Sequence, residues 1–162
     1  MTTLITHSAE ETEQIGVALG RAMQPGDVVA LIGDLGAGKT CLTRGIARGL
    51  GIQDPVTSPT FILVAEYNTA RGFPLYHADC YRLGDAAAAE AESIGLAEML
   101  QGDGVTVVEW AERISRLLPD DTLRIELIAT DESERQMTAQ ASGQRSRSLL
   151  QTLASHQVTP CC

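Results

Sequence analysis

The segment Val28-Val29-Ala30-Leu31-Ile32-Gly33-Asp34-Leu35-Gly36-Ala37-Gly38-Lys39-Thr40-Cys41-Leu42 decides the fold. Its first five residues are a continuous apolar run, the mark of a strand buried on both faces. Residues 33–40 then satisfy the spacing G-x-x-x-x-G-K-[ST]. Glycines at these places let the backbone turn so that successive N–H groups face inward around a phosphate. The helix that follows adds the positive end of its dipole. In such a loop Lys39 meets the β- and γ-phosphates and the Thr40 hydroxyl ligates Mg²⁺. The expected phosphate-binding segment therefore comprises Gly33, Asp34, Leu35, Gly36, Ala37, Gly38, Lys39, Thr40 and Cys41, and the expected ligands are ATP and Mg²⁺. The helix is predicted over residues 39–50, with Leu42, Ile46 and Leu50 on one side and a stop at Gly51.

Working outward, Ser8 and Glu11 are spaced as a capping box, and Ile15, Ala18, Leu19, Ala22 and Met23 follow at helical spacing. Pro25-Gly26-Asp27 separates that helix from the buried strand. Downstream, residues 61–67 alternate as a strand, with residues 75–79 as the hairpin partner. Helices are expected over about residues 85–92 and 96–100, and a buried strand at Val105-Thr106-Val107-Val108. Residues 123–128 and 136–141 read as a late antiparallel pair, and residues 146–153 as a terminal helix. Helices alternating with buried strands imply an α/β, P-loop NTPase-like three-layer domain. Its central sheet is expected to be mixed and mainly parallel, flanked by helices. A single domain over residues 1–162 is expected, loose from about residue 155.

Magnesium chemistry beside a phosphate loop needs carboxylates, usually at the ends of neighbouring buried strands. Glu109 ends the strand that begins at Val105, and Asp79 ends the one that carries His77 on the same face. Both are candidates for the metal and for the hydrolytic site, and either is placed to position the attacking water. His77 itself reads as a hydrogen-bonded, partly buried histidine. Thr57-Ser58-Pro59-Thr60 lies where such proteins carry a γ-phosphate-sensing loop, and a threonine hydroxyl or a main-chain carbonyl there is placed to reach the metal. Trp110 packs in the core or presents a surface to nucleotide or partner. Arg82 serves as an electrostatic aid or a helix-end salt bridge.

Composition narrows the class. Of 12 basic residues, Lys39 is the only lysine, so the Asn-Lys-x-Asp segment that reads guanine is absent. The arginine-free stretch over residues 85–100 argues against the lid of a P-loop kinase. A formal net charge of -9 disfavours unaided nucleic-acid binding. The four cysteines lack zinc-ligand spacing; Cys41 and Cys80 read as small buried residues, and Cys161-Cys162 close the chain. Neither a signal peptide nor a membrane span is visible, so a cytoplasmic protein is expected.

The ordered set formed by residues 33–40, Thr57-Ser58-Pro59-Thr60-Phe61, His77-Ala78-Asp79-Cys80-Tyr81-Arg82-Leu83, Ile94-Gly95-Leu96 and Val108-Glu109-Trp110 closely resembles the TsaE (YjeE) family of bacterial ATPases, over about residues 8–141. The resemblance implies an ATP-hydrolysing accessory factor. It would act with a TsaB–TsaD complex in threonylcarbamoylation of adenosine 37 in tRNAs that read codons beginning with A, touching tRNA only through that complex. It implies that Lys39 and the loop amides bind phosphates, that Thr40 and Glu109 bind Mg²⁺, and that Thr60 and Asp79 belong to the hydrolytic site. Thr12 and Arg135 match segments near the nucleotide, and Trp110 a family tryptophan. Cys41 stands where the family usually has threonine or serine, and Cys80 where it often has leucine. The alternative reading is a stand-alone P-loop phosphotransferase acting on a small molecule.

Overall fold

The computed structural model describes residues 1–59, 64–84 and 87–156. Seven strands form one sheet: β1 (Thr2–Thr6), β2 (Val28–Ile32), β3 (Val64–Asn68), β4 (Pro74–Asp79), β5 (Val105–Glu109), β6 (Leu123–Ala129) and β7 (Arg135–Ala141). Their order is β1-β7-β6-β2-β5-β4-β3. The strands β6, β2, β5 and β4 are mutually parallel, whereas β3, β7 and β1 join through antiparallel pairs at the two edges. Strands β1, β6, β2, β5 and β4 thus run one way and β7 and β3 the other, which is the mixed, mainly parallel sheet of a P-loop NTPase-like α/β fold. The helices are α1 (Ala9–Ala22), α2 (Lys39–Gly49), α3 (Ala87–Ser93), α4 (Leu96–Leu100) and α5 (Gln144–Ser155), with a 3₁₀ turn at Ala111–Ile114.

Two apolar layers sandwich the sheet. On one face Ile15, Leu19, Leu42, Ile46, Leu149 and Leu153 from α1, α2 and α5 pack on Val29, Leu31, Val105, Val107 and Ile125. On the other, Leu96, Leu100 and Ile114 pack on Val28, Ala30, Ala78 and Val108. This alternation explains the apolar run of β2: each successive side chain enters a different core.

Helices α1 and α2 approach through an interlocked glycine seam. A Cβ at Gly20 would lie 2.1 Å from the Ile46 carbonyl oxygen, and one at Gly45 would lie 2.1 Å from that of Glu13. Gly16 and Gly49 meet backbone nearly as closely, at 2.4 and 2.3 Å. The close crossing fixes α2 against α1.

Most expected elements stand where the sequence puts them. The start of the 61–67 strand and of the 85–92 helix, Thr60, and the tail with Cys161 and Cys162 lie outside the described residues. Strand β1 is not anticipated by the sequence reading; it pairs with β7, Leu4 opposite Met137. The Ser8 side chain caps α1 by accepting from the Glu11 N–H at 3.1 Å. The return contact differs from a capping box: Glu11 accepts from His7 N–H at 2.7 Å rather than from Ser8. Cys80 is buried as expected, but Cys41 is half-exposed, because it lies on the first turn of α2 where the helix faces the cleft.

Candidate phosphate and metal site

The loop between β2 and α2 supplies the floor of the site. Gly38 stands immediately before α2 at φ 105°, a left-handed conformation that a side chain would strain. Gly33 lies so close to β6 that a Cβ would sit 2.3 Å from the Leu127 carbonyl oxygen. Lys39 is buried, and its ammonium donates to the Gly33 carbonyl at 2.5 Å and to the Asp34 carbonyl at 2.8 Å. Burial pulls the ammonium down from its usual value, while the carboxylates of Glu109, Glu112, Asp79 and Asp34 oppose that shift.

The parallel pairing of β4 with β5 sets Asp79 opposite Glu109. Period-two alternation then turns His77, Asp79 and Glu109 to the face covered by α2. Glu109 is buried, and its carboxylate is held from several sides. Thr40 Oγ1 donates to Oε2 at 2.9 Å, His77 Nε2 lies 2.8 Å from Oε1, and Thr43 Oγ1 lies 3.2 Å from Oε1. The Thr43 hydroxyl also lies 2.9 Å from the Lys39 carbonyl, so its single proton is divided between two acceptors. Asp79 is anchored separately: Ser58 Oγ donates to Oδ2, and the Tyr81 N–H donates to Oδ1 at 2.9 Å.

Trp110 closes one wall. Among the described residues it is the one non-glycine residue with positive φ, at 57°. That turn swings the indole away from the strand and across Lys39, whose ammonium lies 4.0 Å from the ring centroid. Tyr81 packs beside it, 4.9 Å between centroids with the ring planes tilted by 46°, and Arg113 lies 5.9 Å from each ring. The resulting cleft, about 510 Å³, is lined by Lys39, Thr40, Asp79, Arg82, Glu109 and Trp110 among others. A second hollow of about 330 Å³ adjoins it through Gly38, Cys41 and Arg135 and reaches Thr12. Arg135 borders both hollows, its guanidinium donating to carbonyls of Asp131, Glu132 and Glu134 at 2.8–3.2 Å. Thr12 is buried, with its hydroxyl 2.7 Å from that of Thr6.

The fold therefore brings together Gly36, Gly38, Lys39, Thr40, Cys41, Asp79, Glu109, Trp110 and Arg135 around one cleft, with Thr12 at its far extension. Asp34 and Ala37 face a neighbouring hollow on the other side of the loop, and Leu35 borders both. His77 is fully buried rather than partly so, and only one of its ring nitrogens has a partner. Sequence reasoning overlooks Thr43 and Ser58. Thr43 lies one helical turn beyond Lys39, on the same side of α2, which is the available signal. Ser58 sits inside the quoted Pro-flanked loop, but nothing local selects it over its threonine neighbours.

The donor set suits Mg²⁺. Among the described residues no cluster of three or more His, Cys, Asp or Glu forms a protein cage for a metal ion. One hydroxyl and one carboxylate, already 2.9 Å apart at the phosphate loop, match the sparse protein ligation that magnesium takes beside phosphates.

The sequence and the fold are similar to those of known proteins. The family model for threonylcarbamoyl adenosine biosynthesis protein TsaE matches residues 6–137. The chain is 44% identical over 151 residues to the Bacillus subtilis tRNA threonylcarbamoyladenosine biosynthesis protein TsaE, covering 93% of this chain and 92% of that one. It is 43% identical to the Treponema pallidum protein of the same name, covering 83% and 96% respectively. The crystal structure of Bacillus subtilis YdiB superposes with a TM-score of 0.79 at 40% identity, covering 96% of this chain and 95% of that one.

Proposed function

We propose, from the premise that this chain belongs to the TsaE family of tRNA threonylcarbamoyladenosine biosynthesis proteins, that it is an ATP-hydrolysing accessory factor for that modification. It works with homologues of TsaB and TsaD on adenosine 37 of tRNAs reading codons beginning with A. The observation that carries the ATPase reading is the junction of Thr40 with Glu109, formed at the mouth of a phosphate loop whose lysine is buried beside it.

In this reading the loop amides and the N-terminus of α2 cradle the phosphates. Lys39 leaves the Gly33 and Asp34 carbonyls, which hold it in reserve, for phosphate oxygens. Thr40 and Glu109 hold Mg²⁺, which when bound supplies charge neutralisation on the transferring phosphoryl group. Both carboxylates line the cleft, but Glu109 already meets the Thr40 hydroxyl, whereas Asp79 is held apart from it. Asp79 is therefore the carboxylate that positions water, steadied by Ser58 and Tyr81. Thr60 serves the same hydrolytic site. The adenine end of the nucleotide occupies the hollow between Thr12 and Arg135.

The net charge of -9 fits a factor that docks on a tRNA-bound complex without holding tRNA itself. We place its work with that complex in the cytoplasm; among the described residues no helix is long and apolar enough to cross a membrane. The test is ATP hydrolysis by the purified chain alone and with TsaB and TsaD. Slow basal turnover that rises with both partners is expected; no rise would remove the accessory-factor reading.

A further inference from the structure

His77 is a polar side chain with 0% exposure, set among Leu75 on its own strand and Val107 opposite it on β5. For packing alone an apolar residue would serve better, since Nδ1 is buried with no hydrogen-bond partner. Leaving such a group unpaired carries the desolvation cost of the buried nitrogen with no bond to offset it. Among the described residues the ring's one polar contact is the 2.8 Å approach of Nε2 to Glu109 Oε1. An ionised carboxylate only accepts, so Nε2 carries the proton and Nδ1 does not need one to make this contact.

The division of labour around Glu109 makes that donor necessary. Oε2 receives the Thr40 hydroxyl, but that hydroxyl belongs to the metal once nucleotide is present. Thr43 is closer to the Lys39 carbonyl, at 2.9 Å, than to Oε1, at 3.2 Å, and has one proton to give. When Thr40 turns to the metal, His77 is the donor left fully committed to Glu109.

We propose that His77 is a positioning residue. Its Nε2–H fixes the rotation of the Glu109 carboxylate so that Oε2 faces the Mg²⁺ position, and through Glu109 it sets the metal-dependent part of nucleotide affinity. This rests on the reading of Glu109 as a metal ligand. Outer contacts to metal ligands typically contribute about 10–100-fold in metal affinity.

The experiment compares His77→Gln with His77→Asn. The glutamine amide nitrogen is as many bonds from Cα as Nε2, whereas the asparagine amide falls at the level of Nδ1, where no partner exists. ADP binding is measured by calorimetry for each protein with Mg²⁺ and again in EDTA, alongside thermal melts. The asparagine variant is expected to lose about ten-fold in affinity with Mg²⁺, with EDTA values unchanged; the glutamine variant recovers most of that loss. In a Glu109→Gln background, His77→Asn adds no further loss. Equal Mg²⁺-dependent affinities in all three proteins, equal losses in both variants, or losses of the same size in EDTA would overturn the assignment. Failure of the unaltered protein to bind ADP, or binding indifferent to Mg²⁺, would instead overturn the functional reading on which it rests.

Discussion

Thr40 and Glu109 stand 69 positions apart in the chain, yet the threonine hydroxyl donates to the Glu109 carboxylate at 2.9 Å. Parallel pairing of β2 with β5 produces this closeness: Leu31 at the end of β2 lies opposite Glu109, and the loop returns Thr40 above it. The two side chains are joined before any ligand arrives, so the metal position proposed above would be preorganised rather than assembled on binding.

Replacing Glu109 by glutamine keeps the shape and removes the charge. ATP turnover is expected to fall by roughly 10²-fold or more, the scale of losing one preorganised electrostatic group. Nucleotide affinity in EDTA is expected to persist, because Lys39 and the loop amides are untouched. Stopped-time hydrolysis assays with parallel binding titrations check this, and full turnover in Glu109→Gln would dismiss the carboxylate from the site.

Trp110 is the only tryptophan, and the Lys39 ammonium lies 4.0 Å from its ring centroid. On the proposed reading, nucleotide binding moves that cation from the indole toward phosphate. Intrinsic emission is therefore expected to change saturably as ADP is titrated with Mg²⁺. Lys39→Ala removes both the emission change and most of the affinity. A titration curve for Lys39→Ala matching the unaltered protein would contradict the placement of Lys39.

The glycine seam between α1 and α2 makes a stability prediction opposite in sign to helix propensity. Alanine is better than glycine in a helix interior by about 1 kcal/mol. At Gly20 or Gly45, however, the new Cβ would lie 2.1 Å from backbone oxygen of the facing helix. Each Gly→Ala change there is expected to destabilise by about 1–3 kcal/mol net, lowering Tm by roughly 3–10 °C. Gly84→Ala is the control, because its nearest atom would be 3.7 Å away. Thermal melts in which Gly20→Ala equals or exceeds the unaltered protein would refute the close crossing.

What could be read from sequence was local and redundant. The apolar run of β2, the loop glycines, Lys39, and the Leu42–Ile46–Leu50 stripe all point to one strand–loop–helix unit, and all lie where expected. Glu109 and Asp79 were legible because a phosphate loop calls for carboxylates at the ends of neighbouring buried strands. Strand β1 was not: five residues with only Leu4 and Thr6 buried depend on pairing with distant β7. The seam was hidden for a related reason, since glycine inside a helix reads as weak propensity until the facing helix is known. His77 shows the same limit. Its place on the Asp79 face follows from alternation, but its single partner and its unpaired Nδ1 depend on how β4, β5 and α2 converge.

Cys80 gives a pH prediction separable from the active-site chemistry. Burial, reinforced by the neighbouring Asp79 and Glu112 carboxylates, pushes its thiol from 9.0 up to about 12. The unfolded chain releases this proton near pH 9, whereas the folded chain keeps it until about 12. Between those values the unfolded state binds fewer protons, so stability falls as pH rises; below pH 9 the contribution is constant. At pH 10 the loss attributable to this thiol is about 1–2 kcal/mol. Denaturant unfolding at pH 8 and pH 10 is therefore expected to show a smaller alkaline loss in Cys80→Ala than in the unaltered chain, even though the alanine variant starts less stable from its lost packing. The same burial predicts that Cys80 resists alkylation in the folded protein at pH 8, while half-exposed Cys41 reacts and is shielded by nucleotide. Equal alkaline losses in both proteins would show that the Cys80 thiol ionises as easily folded as unfolded.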